Sequence, residues 1–122
     1  MKVLIVDDSK AMRTFLGYLA RKLEFETVEA VDGCQALEVL AAQPMVKLAL
    51  VDWDMPRMNG LDFVKALRAK PAYDSLKIMM VTTQNSMDRV AAALNAGATD
   101  YLMKPVSEGS LHDKFRVLGV MP

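Results

Sequence analysis

Six polar residues that could do chemistry stand at the ends of short apolar runs in this 122-residue chain. They are Asp7, Asp8, Asp52, Asp54, Thr82 and Lys104. Carboxylates that converge in one crevice repel one another, and one lysine cannot neutralise three or four of them. Either some of their pKa values rise or a cation binds. Because oxygen donors without a neighbouring His or Cys suit hard cations, the set indicates Mg²⁺ or Mn²⁺.

A divalent cation, a lysine and a hydroxyl around one free carboxylate could receive a phosphoryl group. The cation and Lys104 would offset charge on the transferring oxygens, and Thr82 would offer a hydrogen bond. Asp52 could be the covalent acceptor, because aspartyl phosphate is a recognised carboxylate intermediate. A single Asp after a strand is more often a helix cap, and Asp8 or Ser9 could cap the first helix. The joint placement of the whole set favours the functional interpretation.

Two kinds of segment alternate along the chain and would position these residues. Five short runs rich in apolar, branched residues have the length of buried strands. They cover residues 3–6, 27–31, 48–51, 78–81 and 100–103. The second and last runs carry more polar residues, which suits edge strands. Between the runs, apolar residues recur every three or four positions, as helices require. In the first helix this stripe is Met12, Phe15, Leu16, Leu19 and Leu23.

Capping residues agree with these boundaries. The signals are Asp32-Gly33, Asn59-Gly60, Asn95-Ala96-Gly97, and Ser107 or Ser110. Five β-α units in succession predict an α/β fold, with one doubly wound, five-stranded parallel sheet and helices on both faces. Ligands of such sheets bind beyond the carboxyl ends of the strands, where the candidate residues stand.

Composition argues against several classes of protein, namely nucleic-acid binders, membrane proteins and disulfide-bonded proteins. Fifteen basic and 15 acidic residues give zero formal charge, which argues against direct binding of nucleic acid or anionic membrane. The single Cys34 excludes an internal disulfide and favours a reducing compartment. The longest apolar run, residues 90–94, is far shorter than a membrane span of about 20 residues. We expect a cytoplasmic protein with one domain over residues 1–122.

Four segments together resemble the receiver domain of two-component response regulators, most of all the stand-alone CheY-like receivers. They read LIVDDS (residues 4–9), VDWDMPRMNGL (51–61), VTT (81–83) and GATDYLMKP (97–105). The match spans nearly the whole chain in register. It implies the flavodoxin-like strand order 2-1-3-4-5 and no output domain in this chain.

The resemblance also implies roles for the acidic residues. Asp52 matches the acceptor of a phosphoryl group from the phosphohistidine of a sensor histidine kinase or phosphotransfer protein. Asp8 and Asp52 match direct Mg²⁺ ligands, together with the backbone carbonyl of Asp54. Asp7 matches the residue that positions the metal through water.

The remaining roles concern phosphate contact and switching. Lys104 matches the lysine that contacts the phosphoryl group, and its bond to Pro105 is expected to be cis. Thr82 matches the switch hydroxyl and Tyr101 the aromatic switch coupled to it. The family would then bind a downstream target through the fourth helix, fifth strand and fifth helix, as a monomer or as a phosphorylation-dependent dimer. Partner-facing candidates are Val90, Leu94, Ala98, Tyr101 and Lys114.

The chain departs from the common pattern at three positions. Asp54 stands where relatives often carry Asn, Gln84 where an acidic residue is common, and Thr83 where Ala is usual. Asp54 and Gln84 match the positions that flank the path of the attacking water. They therefore bear on the lifetime of the phosphorylated state.

Three other functions fit the sequence less well than a phosphorylated receiver. Asp52 and Asp54 also resemble the Asp-x-Asp motif of haloacid-dehalogenase-type phosphatases, but Pro56 stands where that motif expects Thr or Val. A flavodoxin-like cofactor binder would need a phosphate loop after the first strand, where two aspartates would repel phosphate. A receiver that has lost its chemistry and only binds partners is disfavoured by the complete acidic set.

Overall fold

The computed structural model describes residues 1–83 and 87–121, and within them five strands alternate with five helices. In chain order these are β1 (Lys2–Val6), α1 (Lys10–Lys22), β2 (Glu26–Ala30), α2 (Gly33–Ala42), β3 (Val46–Asp52), α3 (Gly60–Arg68), β4 (Lys77–Thr82), α4 (Met87–Ala96), β5 (Asp100–Met103) and α5 (Glu108–Val117). A 3-10 turn at Pro71–Tyr73 connects α3 to β4. No described helix is long and apolar enough to cross a membrane.

The strands form one parallel sheet in the order β2-β1-β3-β4-β5. This confirms the predicted fold class and places β2 and β5 at the edges. The strand bounds differ slightly from the prediction. β2 ends at Ala30, whose carbonyl accepts from the Asp7 N–H at 3.1 Å, and Val31 lies outside the strand with 38% of its surface exposed. The carboxyl ends of β1 and β3 adjoin, because Val6 pairs with Val51.

Both faces of the sheet are covered, since alternate residues of each strand point to opposite sides. On one face, residues such as Leu4 and Val51 pack with α2, α3 and α4. On the other, Ile5 and Leu50 pack with α1 and α5. One apolar residue of the predicted α1 stripe does not join this core, because Phe15 is 40% exposed.

Side chains cap the first turns of four of the described helices. Ser9, rather than Asp8, caps α1 by accepting from the Met12 N–H. Asp32 and Asn59 cap α2 and α3, and Ser107 forms a capping box at α5. Each cap satisfies a backbone donor that the first helical turn leaves without an intrahelical partner. Since Ser9 takes the cap, the carboxylate of Asp8 is left for another use.

Arg68 ties the amino-terminal edge of the sheet together. Its guanidinium donates to the carbonyl oxygens of Tyr73 at 2.7 Å, Leu76 at 2.8 Å and Gly97 at 2.9 Å. Gly97 has φ of +119°, and a Cβ there would lie 2.6 Å from Arg68 Cγ, so glycine fits both the backbone and the arginine. Burial lowers the pKa of Arg68.

Arg68→Met should lower the free energy of unfolding by about 2–3 kcal/mol, because three carbonyls lose a charged donor. Urea unfolding followed by circular dichroism would measure this loss. Arg116→Met is the matched control, since the Arg116 guanidinium is exposed and lies 3.9 Å from Asp113. Equal stability of the two variants would contradict the structural role of Arg68.

Candidate functional site

Three carboxylates meet at the carboxyl edge of the sheet. Asp7 and Asp8 follow β1, and Asp52 ends the adjoining β3. One carboxylate oxygen from each lies within 4.8 Å of the others. Three of the four predicted acidic residues therefore group together, because neighbouring parallel strands end at the same edge. The carboxylate of Asp54 is not in this group and is 75% exposed.

Asp7 is the most buried member of the cluster, with 2% of its surface exposed. The Ser9 N–H donates to Asp7 Oδ1 at 2.8 Å, while Oδ2 is buried with no hydrogen-bond partner among the described residues. Burial raises the pKa of Asp7, and the charges of Asp52 and Asp8 raise it further. A buried carboxylate oxygen without a protein donor, beside two more carboxylates, suits a cation.

Asp52 has one close positive neighbour. Lys104 Nζ lies 3.3 Å from Asp52 Oδ1, and the Asp52 side chain is 12% exposed. Burial nevertheless raises the pKa of Asp52 despite the opposing charge of Lys104, and the charges of Asp54 and Asp8 add to the increase. One lysine does not balance this cluster, as its composition predicted. The all-oxygen donor set fits Mg²⁺ or Mn²⁺.

The predicted switch residues lie on β4 and β5. Thr82 ends β4 and is 5% exposed, and its carbonyl accepts from the Lys104 N–H at 2.7 Å. The bond from Lys104 to Pro105 is cis, as expected. Tyr101 lies on the edge strand, and Lys114 Nζ is 4.4 Å from the centre of its ring. Gln84 lies outside the described residues.

The loop from β3 to α3 is held by residues whose sequence context predicts at most a helix boundary. The Gly60 N–H donates to the Trp53 carbonyl at 2.9 Å, and a Cβ at Gly60 would lie 2.6 Å from the Asp52 carbonyl oxygen. Arg57 pairs with the buried Asp32 at 2.7 Å and lowers the pKa of that carboxyl. The carboxyl end of β3 is therefore held against the starts of α2 and α3.

Arg89 contacts the loop after β3, and nothing in the sequence pattern predicts this contact. It lies in the first turn of α4, and its Nη1 is 3.0 and 3.1 Å from the two carboxylate oxygens of Asp54. The guanidinium carbon is 5.4 Å from the centre of the Trp53 ring. No sequence spacing links α4 to this loop, so only the folded chain shows the contact.

Fold and site together define a five-stranded α/β domain with an acidic, lysine-containing crevice. A protein-family model described as "Response regulator receiver domain" matches residues 3–116. The chain belongs to this family.

Individual proteins similar to this chain support the same family assignment. The chain is 40% identical over 119 residues to "Chemotaxis protein CheY1" of Helicobacter pylori, covering 97% of this chain and 96% of the relative. It is also 40% identical over 121 residues to "Chemotaxis protein CheY homolog" of Campylobacter jejuni, covering 98% and 93%. The solved structure of chemotaxis response regulator CheY4 of Vibrio cholerae is 32% identical, with a TM-score of 0.87 and coverage of 96% and 97%.

These similarities support a phosphoacceptor signalling function for the chain. They do not support the phosphatase alternative built on Asp52 and Asp54. Receiver domains bind Mg²⁺ through an acidic pocket, and the cluster of Asp7, Asp8 and Asp52 has that character.

Proposed function

We propose that this chain acts as the receiver domain of a response regulator, with Asp52 as its phosphoacceptor. The observation that carries the proposal is the largely buried Asp52 carboxylate, 3.3 Å from Lys104 and grouped with Asp7 and Asp8. The donor is the phosphohistidine of a sensor histidine kinase or phosphotransfer protein.

The transfer uses few protein groups. An Asp52 carboxylate oxygen forms a bond to phosphorus, and the bond from phosphorus to the histidine nitrogen breaks with its electron pair left on that nitrogen. Lys104 offsets the negative charge on the phosphoryl oxygens, and the Thr82 hydroxyl donates to one of them. Beyond its own phosphorylation and dephosphorylation, the protein catalyses no reaction.

Asp8, Asp52 and the backbone carbonyl of Asp54 would hold Mg²⁺, with Asp7 acting through water. Bound Mg²⁺ supplies charge stabilisation for the phosphoryl oxygens. The Oδ2 of Asp7, which no described residue contacts by a hydrogen bond, and the raised pKa values of Asp7 and Asp52 support this set. Burial is the main cause of the raised pKa values, and binding of the cation would offset the repulsion among the carboxylates that adds to it.

The downstream protein binds the surface formed by α4, β5 and α5. Leu94 and Val117 expose apolar side chains there, with 40% and 73% of their surfaces accessible, whereas the predicted partner-facing residues Val90 and Ala98 are buried. Tyr101 and Lys114 stack between β5 and α5. Movement of Thr82 toward the phosphate would shift Tyr101 and so alter the affinity of this surface for a downstream protein. The named relatives favour a chemotaxis output, and a phosphorelay is the other setting for a protein of this kind.

The direct test is phosphate uptake by the purified chain. Incubation with acetyl phosphate and MgCl₂ should add one phosphoryl group by intact-mass analysis, and borohydride reduction followed by peptide mapping should locate it at Asp52. A chelator should prevent uptake, since one lysine does not balance the acidic cluster. Failure of both acetyl phosphate and a phosphorylated histidine donor to modify Asp52 would refute the proposal.

A further inference from the structure

The ion pair between Arg89 and Asp54 joins α4 to the loop that follows the phosphoacceptor. Asp54 lies two residues after Asp52, and one nitrogen of Arg89 contacts both of its carboxylate oxygens. The two side chains are 45% and 75% exposed, so the pair lies at the protein surface. Its position gives it access to reactants that approach from solvent.

Trp53 holds the arginine from a second side. Trp53 comes between Asp52 and Asp54 in the sequence. Its side chain packs against the core on the sheet face that α2, α3 and α4 cover. With its guanidinium carbon 5.4 Å from the ring centre, Arg89 makes a cation-π contact as well as an ion pair. Two contacts of different kind restrict the guanidinium more than a single exposed ion pair would.

We propose that Arg89 is a positioning residue that slows hydrolysis of the Asp52 phosphate by engaging the carboxylate of Asp54. In hydrolysis, the water oxygen bonds to phosphorus, and the bond from phosphorus to the Asp52 oxygen breaks with its electron pair returned to the carboxylate. The water protons pass to the released phosphate and to solvent. An unengaged carboxylate beside the acceptor would accept a hydrogen bond from that water and orient it.

Arg89 thus competes with the water for the Asp54 carboxylate oxygens and holds that carboxylate against α4. The inference rests on the proposed function, because it concerns the lifetime of the phosphate on Asp52. It also assigns a structural partner to Asp54, one of the positions at which the chain departs from the common receiver pattern.

The experiment compares decay of the phosphorylated protein after acetyl phosphate is removed in the presence of Mg²⁺. Arg89→Ala should decay about threefold to fivefold faster than wild type. Fivefold corresponds to about 1 kcal/mol of activation free energy, since 1.36 kcal/mol changes a rate tenfold. Arg89→Lys, which keeps the charge, should decay at an intermediate rate. Arg116→Ala removes an exposed arginine from α5 and should decay as wild type does.

A double-mutant comparison separates positioning from a general structural effect. In an Asp54→Asn background, Arg89→Ala should change the decay rate little, because the carboxylate it engages is gone. Trp53 is the one tryptophan of the chain, so its emission should also shift in Arg89→Ala.

Two results would overturn the inference while leaving the proposed function intact. They are equal decay of wild type and Arg89→Ala, and an equal acceleration by Arg89→Ala in both backgrounds. Absence of phosphate uptake by the wild type would overturn the proposed function and the inference together.

Discussion

Asp52→Asn is expected to take up no phosphate from acetyl phosphate or from a phosphohistidine donor. The change removes the anionic oxygen that would bond to phosphorus, while the amide nearly matches the carboxylate in shape. Intact-mass analysis after incubation with donor and Mg²⁺ would measure the loss against wild type. Uptake at the wild-type rate would show that another residue is the acceptor.

The same substitution should stabilise the metal-free protein. Burial raises the pKa of Asp52 in the folded chain, so its ionised form at neutral pH favours the unfolded state. Removing that charge should raise the free energy of unfolding at neutral pH. A variant that loses phosphorylation and gains stability cannot owe its inactivity to misfolding.

The sign of the pH dependence follows from the direction of the shift. An acid with a raised folded pKa makes the folded state bind protons more tightly. Stability of the metal-free wild type should therefore fall as pH rises from about 3.9, the ordinary value for Asp, through the raised folded pKa values of Asp7 and Asp52. Thermal unfolding of wild type and Asp52→Asn across this range should show a smaller loss in the variant.

Local sequence information was sufficient to predict that Asp7, Asp8 and Asp52 lie close together. Asp7, Asp8 and Asp52 follow apolar runs of strand length, and parallel strands end at one edge of the sheet. No long-range knowledge is needed beyond the adjacency of β1 and β3. The order of the strands, by contrast, came from the family resemblance, because alternation of elements is compatible with several doubly wound orders.

Local sequence patterns do not predict the contacts between loops and helices. Arg89 reaches Asp54 across 35 positions, and Arg57 reaches Asp32 across 25. Both depend on how a helix start is placed relative to the loop after β3, which periodicity does not encode. Phe15 shows the same limit within one helix. Its spacing predicted α1 correctly, but Leu16, Leu19 and Ala20 supply the buried face, which leaves Phe15 partly in solvent.

The second large effect concerns Asp7, which contributes no predicted direct bond to the metal. Its Oδ1 is held by the Ser9 N–H, and its buried Oδ2 has no protein donor among the described residues. Asp7→Asn replaces a charge and an acceptor with a neutral group that carries a donor. We expect Mg²⁺ affinity to fall about 10–100-fold, the range found when the outer partners of metal ligands are removed.

Mg²⁺ titration followed by Trp53 emission, or by the metal-dependent rise in Tm, would measure this loss. Asp8→Asn removes a predicted direct ligand and should lose at least as much affinity, while Asp113→Asn on the exposed surface of α5 should lose none. Metal-free Asp7→Asn should also be more stable than wild type at neutral pH, because burial raises the pKa of Asp7 as it does that of Asp52. An Asp7→Asn variant with wild-type Mg²⁺ affinity would show that the unpartnered carboxylate oxygen serves the fold and not the cation.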